Sequence, residues 1–197
     1  MSDSLERLKT ILAEVADLGR AAAVLEWDQE TYMPPGGVKP RSEQMSTLLR
    51  LAHVRFTSDE VGRLLGELEN ETSGQPFDSN EASLVRVTRR DFDQDRKLAP
   101  ELISEIAQAG SAAQPVWRKA RREGNFKLFA PVLEKNVELN RRLADALGYE
   151  GRPYDALIDR YEPGMTTDEL ESIFAELKRA IVPLVADIAR HAEAVDD

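Results

Sequence analysis

The chain has 197 residues, 42% of them hydrophobic and 31% charged, which allows a real core and a soluble surface. Its 36 acidic side chains outnumber 26 basic ones, and the net charge of -10 repels phosphate backbones. The short Arg89-Arg90 and Arg118 to Arg122 clusters have acids close by, so nucleic acid is set aside as a partner; the absence of cysteine removes disulfides, thiolate metal sites and cysteine nucleophiles, and no apolar run is long enough to span a bilayer.

From Leu5 the apolar residues Leu8, Ile11, Leu12, Val15, Leu18, Ala22 and Leu25 recur every three or four positions. That spacing predicts an amphipathic helix, capped by Ser2 or Ser4 and ending before Met33-Pro34-Pro35-Gly36-Gly37. The same segment lacks the unbroken apolar core of a signal peptide, and with the cysteine-free composition it points to a cytoplasmic chain. A second helix is expected from about Pro40 to Leu51, and a third from the cap Ser58 to Glu69. Asn70 to Asn80 reads as a loop by composition. Ser79 or Asn80 then opens a helix carrying Leu84, Val85, Val87, Thr88 and Phe92 and reaching Lys97.

Pro100 suits the first turn of the next helix, which Pro115 should kink and Gly124 should end. A helix from about Phe126 to Leu147 is stopped by Gly148, and Gly151 to Gly164 is irregular with one short helix. Thr166 or Thr167 caps a final helix, with Asp168, Glu169 and Glu171 near its start and Pro183 expected to kink it. Its expected buried stripe is Leu170, Ile173, Phe174, Leu177, Ile181, Leu184 and Ile188. The chain stops at Ala194-Val195-Asp196-Asp197 without a capping glycine, and a natural terminus and a truncation both remain open. No stretch alternates long enough for a sheet and no repeat emerges. The fold class is all-α, with long antiparallel helices and one helical unit over 1–197 as the default.

Little in the composition carries chemistry. His53 and His191 are the only histidines, and neither has a second histidine at a local ligand spacing such as His-Glu-x-x-His. Both read as surface or helix-end residues, so no catalytic, cofactor-binding or metal-ligating residue is assigned. Pro34-Pro35-Gly36-Gly37 lacks the lysine and hydroxyl of a phosphate loop.

Two segments stand apart. In Glu26 to Gly37, Trp27 and Tyr32 are expected to fill core edges while Asp28 caps or pins backbone; the alternative is the wall of a ligand groove. In Tyr154 to Thr166, the side chains of Tyr154, Asp155, Asp159, Arg160 and Tyr161 are expected to rigidify a loop, with peptide recognition at a cleft rim as the alternative. Asn136 and Asn140, four apart beside Leu133 and Val137, suggest interhelical hydrogen bonds.

The same two segments carry a family resemblance. Trp27-Asp28-Gln29-Glu30-Thr31-Tyr32-Met33-Pro34-Pro35-Gly36-Gly37, followed by Arg41-Ser42-Glu43-Gln44, resembles the N-terminal signature of the M32 (Taq-type) metallocarboxypeptidases. Gly148-Tyr149-Glu150-Gly151-Arg152-Pro153-Tyr154-Asp155-Ala156-Leu157, continuing through Tyr161 to Thr166, resembles a second family segment in the expected order. Asp91 and Arg96-Lys97-Leu98 between them also fit. The resemblance implies a mostly helical, grooved and commonly homodimeric enzyme that uses zinc or cobalt to release single residues from peptide C-termini. It also implies that two metal-binding histidines, the glutamate that activates water and a downstream glutamate ligand lie beyond this region. The chain would then be the N-terminal helical part of such an enzyme, forming groove wall, lid or dimer surface. Alone it would be inactive, with no metal of its own. A stand-alone helical binding or regulatory module derived from that fold is the rival, and it requires exposed apolar surface near Ile181, Leu184 and Ile188.

Overall fold

A computed structural model describes residues 2–191. The described residues form helices joined by turns, with no strand among them, in agreement with the all-α expectation. In order these are α1 (Asp3–Thr31), α2 (Val38–Phe56), α3 (Asp59–Thr72), α4 (Asn80–Asp95), α5 (Pro100–Arg122), α6 (Ala130–Leu147), α7 (Pro153–Ile158) and α8 (Thr167–Arg190). Single 3-10 turns at Pro35–Gly37 and Phe126–Leu128 precede α2 and α6. None of the described helices is long and apolar enough to cross a membrane. Ala194 to Asp197, where the chain stops, lie outside the described residues.

Side-chain oxygens cap four of these helices. Ser2, Ser58, Ser79 and Thr166 each accept a hydrogen bond from a backbone N–H in the first turn they cap, which satisfies one of the donors a helix leaves unpaired. Pro100 occupies the first turn of α5, where its missing N–H costs nothing. Gly148 ends α6 with a φ of 84°, a left-handed conformation that glycine adopts without a Cβ clash. The chain groups into two compact units, Met1–Leu147 and Gly148–Asp197, and this glycine stands at the change between them.

In the first unit α1, α3 and α4 share an apolar core. Leu5, Leu8 and Ile11 of α1 meet Val61, Leu64, Leu65 and Leu68 of α3 and Val85 and Phe92 of α4, all buried. The three- and four-residue spacing puts each set on one helix face. Burying each large side chain is worth about 1.5–3 kcal/mol, so this cluster outweighs the salt bridges above it. Those bridges nonetheless fix azimuth: Glu60 accepts from Arg7 at 2.6 Å and from Arg55 at 3.0 Å, tying α3 to α1 and α2.

α2 packs against both α1 and α5. Here the expectation for His53 holds in one half: it lies in the last turn of α2, a helix-end histidine, but it is buried and not on the surface, and its Nε2 lies 2.9 Å from the Leu98 carbonyl oxygen. A carbonyl only accepts, so Nε2 carries the proton and the ring joins α2 to the turn before α5. His191, by contrast, is the exposed C-cap of α8. The asparagine expectation is also corrected. Asn136 donates to the Val132 carbonyl at 2.9 Å and Asn140 to the Asn136 carbonyl at 2.8 Å, so both amides bond back within α6 and not across helices. A short amide side chain reaches its own preceding turn more readily than a neighbouring helix.

Pro115 lies inside α5, which continues through it to Arg122. Without an N–H, Pro115 leaves the Ser111 carbonyl short of its helical donor. Gln29 from α1 supplies a replacement: its Nε2 donates to that carbonyl at 3.4 Å, and its Oε1 accepts from the Ser111 hydroxyl at 2.5 Å. Both residues are buried. The gap that proline opens in one helix therefore becomes a specific joint to another.

Replacing Gln29 with Ala should cost about 1–3 kcal/mol in urea unfolding, because the Ser111 carbonyl and hydroxyl lose their partner. In a Pro115→Ala background α5 recovers its own donor, so the same Gln29→Ala change should cost clearly less; equal costs would show that the two sites are uncoupled. The pH dependence is equally specific. Hydrogen bonds from Arg7 and then Arg55 lower the Glu60 carboxyl to about 2 from its ordinary 4.5. A lowered folded-state value stabilises the fold above about 4.5, and that contribution fades as pH falls toward 2. The gap in Tm between the parent and Glu60→Gln should therefore be open at pH 7, narrow across that window, and shrink in high salt because the group is exposed.

Candidate functional site

The first distinctive segment closes α1 and opens α2. Tyr32 and Met33 both donate their N–H to the Asp28 carbonyl at 2.9 Å, which ends α1, and Pro34 in an extended conformation starts the crossing. The Gly37 N–H then donates to the Pro34 carbonyl at 2.8 Å. A Cβ on Gly37 would sit 2.9 Å from Met33 Cγ, so the close approach needs a residue without one.

Three consecutive residues at the end of α1 each reach a different partner. The Asp28 carboxylate accepts from Arg41 Nη2 of α2 at 2.6 Å, and the same guanidinium donates to the Leu25 carbonyl near the end of α1. Gln29 makes the joint to Ser111, and Glu30 pairs with Arg118 of α5, whose Nη2 also donates to the Glu30 carbonyl at 3.2 Å. Asp28 thus pins the connector as expected. The expectation for the aromatics fails: Trp27 is 58% and Tyr32 76% exposed, stacked edge to face with ring centroids 5.5 Å apart. Of the residues between them only Gln29 is buried, while Tyr32 is the C-cap beyond the end of α1.

Beside this connector a cleft of about 470 Å³ opens between α1, α2 and α5. Met45, Leu49, Ile106, Trp117 and Phe129 supply apolar lining, while Glu26 and Glu30 bring carboxylates. A second hollow of about 420 Å³ shares Trp117 and Phe129 and adds Arg121, Asn125 and Phe126. Arg121 lies over the Trp117 ring at 5.9 Å. The groove-wall alternative for the first segment therefore has a physical counterpart, although Gln29, Glu30 and the α5 side chains line it and not Trp27 or Tyr32.

In the second unit Asp155 organises the other segment. Its carboxylate accepts from the Arg152 N–H at 2.9 Å, the Thr167 N–H at 2.7 Å and the Thr167 hydroxyl. These bonds, the Thr167 hydroxyl first, hold the carboxyl below its ordinary value. Asp159 accepts from the Gly164 N–H at 2.8 Å, and Gly164 has a φ of 84°. Thr166 and Glu169 close a reciprocal capping box at the start of α8. Arg152 also pairs with Glu171 at 2.6 Å and Asp168 at 3.0 Å. The loop is rigid through its two aspartates, whereas Tyr154 and Tyr161 are 60% and 86% exposed, with rings outside that network.

The residues that sequence reasoning did not single out are Arg41 in its capping role, Ser111, Arg118 and the His53–Leu98 pair. Pro115 was a usable signal for one of them, since a proline inside a helix always leaves a carbonyl four residues back in need of a donor.

Among the described residues no three His, Cys, Asp or Glu side chains converge as a metal-ligand set. Of the two histidines, His53 is hydrogen-bonded to a carbonyl and His191 caps α8.

Comparison with known proteins agrees with the segment pattern. Residues 7–197 match the family model of Carboxypeptidase Taq (M32) metallopeptidase. Carboxypeptidase 1 of Bacillus subtilis is 32% identical over 90% of this chain and 35% of its own length. Thermostable carboxypeptidase 1 of Pyrococcus furiosus is 35% identical over 93% of the chain and 37% of its own. The crystal structure described as BsuCP superposes with a TM-score of 0.87 at 30% identity, covering 95% of this chain and 37% of that one. The chain thus spans little more than a third of the relatives it matches, and it belongs to the Carboxypeptidase Taq (M32) metallopeptidase family.

Proposed function

We propose that this chain is the N-terminal helical part of a metal-dependent carboxypeptidase that releases single residues from peptide C-termini, with its helices contributing a groove wall, lid or dimer surface. The observation that carries the reading is the match over residues 7–197 to a family whose members extend far beyond it, the chain aligning to 35–37% of their length.

The cleft beside α1 supports a wall role and suggests which part of a peptide it suits. Its apolar lining accepts apolar side chains, while the Glu26 carboxylate, unlike the Arg118-paired Glu30, disfavours a free carboxylate. A peptide C-terminus therefore belongs elsewhere, and upstream side chains suit this hollow. The metal, zinc or cobalt in this reading, would polarise the scissile carbonyl and activate water, and its ligands would come from the portion of the fold that the chain does not span. Activity would then belong to the intact, homodimeric cytoplasmic enzyme and not to this chain by itself. A binding module descended from the same fold is the second reading, favoured by the exposed apolar residues of α8.

The test is direct. The purified chain, incubated with zinc or cobalt and an N-blocked peptide with a free C-terminus, should release no amino acid by mass spectrometry and retain no stoichiometric metal on dialysis. Residue release together with tight one-to-one metal retention would overturn the assignment of chemistry to the other portion.

A further inference from the structure

The second unit carries a helix whose apolar face is left exposed among the described residues. α8 runs 24 residues, about 36 Å at the usual rise, and none of its residues is buried. Leu170, Phe174, Leu177, Ile181, Leu184 and Ile188 recur at alternating spacings of four and three, so they form one continuous stripe. From Phe174 to Ile188 these side chains are 43–61% exposed, and the sequence expectation that they are buried is overturned for this chain. Periodicity tells which residues share a face, not whether the covering element is present.

Two features say what kind of surface would cover it. The stripe is wider than a two-helix seam. Ile173 on one side and Val185 on the other are also 50% and 56% exposed, so at 3.6 residues per turn the apolar arc spans about 120°. A paired coil uses a narrower line of positions, and a helix with this breadth needs more than one neighbouring element to cover it. The opposite face is built for water. Arg179 pairs with Glu176 and Arg190 with Asp187 there. Pro183 lies on that side too, so the Arg179 carbonyl it deprives of a donor can be hydrated.

Self-association fits less well. Each copy carries a net charge of -10, and two copies through a single seam would leave Ile173 and Val185 uncovered. We infer that the α8 stripe is the docking face for the polypeptide forming the part of the M32 fold that this chain does not span, and that the two can assemble as separate chains. The inference rests on the reading above that the chain is the N-terminal portion of such a fold.

The experiment is coexpression of the tagged chain with the portion of Bacillus subtilis Carboxypeptidase 1 to which it does not align, followed by sedimentation velocity of the purified material. A one-to-one complex is expected, with recovery falling at least tenfold for the Leu177→Glu, Ile181→Glu double variant. That variant alone should keep the helical circular dichroism and Tm of the parent, because both positions are exposed. Three results would overturn the inference: no complex, a complex indifferent to the double variant, or a dimer of the chain alone that the same variant abolishes, which would assign the face to a second copy. A peptide assay on the complex separates the two readings. An intact complex that releases no residue leaves the docking face standing and removes the carboxypeptidase assignment.

Discussion

The arrangement of the first unit depends on one turn at the end of α1. Asp28, Gln29 and Glu30 are adjacent, so their side chains leave the helix about 100° apart and must address different neighbours. Asp28 takes Arg41 of α2, while Gln29 and Glu30 take Ser111 and Arg118 on α5. α1 is thereby tied to both α2 and α5, which also pack against each other. The apolar core fixes that these helices associate, since hydrophobic burial has no direction. The polar turn fixes their register, because a hydrogen bond formed one residue out of place leaves a buried amide unpaired. The cleft between the three helices follows from that register, with Gln29 and Glu30 on its wall.

The same logic separates architecture from chemistry in the two distinctive segments. Asp28, Asp155 and Asp159 each have a carboxylate oxygen already bonded to a guanidinium, hydroxyl or backbone N–H. For Asp155 protonation would forfeit those bonds, and its lowered value expresses that cost. The acids in these runs hold turns. The groups left facing outward are aromatic: Trp27 and Tyr32 on the first unit, Tyr154 and Tyr161 on the second. Such side chains, apolar in body and polar at the tip, suit contact with another polypeptide.

Much of this fold was legible from local physics. The caps Ser58, Ser79 and Thr166, the helix stop at Gly148 and the short helix in the second segment were read from residues acting within a few positions of themselves. The failures share a different origin. His53 looked like a surface histidine because its partner is 45 positions away, and nothing near it announces the Leu98 carbonyl. Trp27 and Tyr32 were placed inward by hydrophobicity, yet of the residues between them only Gln29 is buried, and Tyr32 lies beyond the end of α1. Asn136 and Asn140 were placed between helices although their own backbone was nearer. A cleft does lie beside the first segment, but its lining from α5 could be found only once Gln29 met Ser111.

α8 shows the limit most clearly. Its capping box, its polar face and its apolar stripe are all written in sequence order, and the helix forms as expected. Burial is a property of a pair of surfaces, and among the described residues no residue of α8 is buried. An isolated helix of this length gains little from propensity alone, since most helical stability in proteins comes from packing an amphipathic face. The capping box at Thr166 and Glu169, with the Arg152 pairs to Glu171 and Asp168 at the same end, instead anchors the first turns of α8 to α7 and its flanking loop. That end is fixed by local bonds, and the apolar stripe runs on from it toward Ile188 with its side chains in water. Local hydrogen bonding thus fixes the start of α8 within its own unit, while periodicity alone gathers the rest of its apolar side chains on one face.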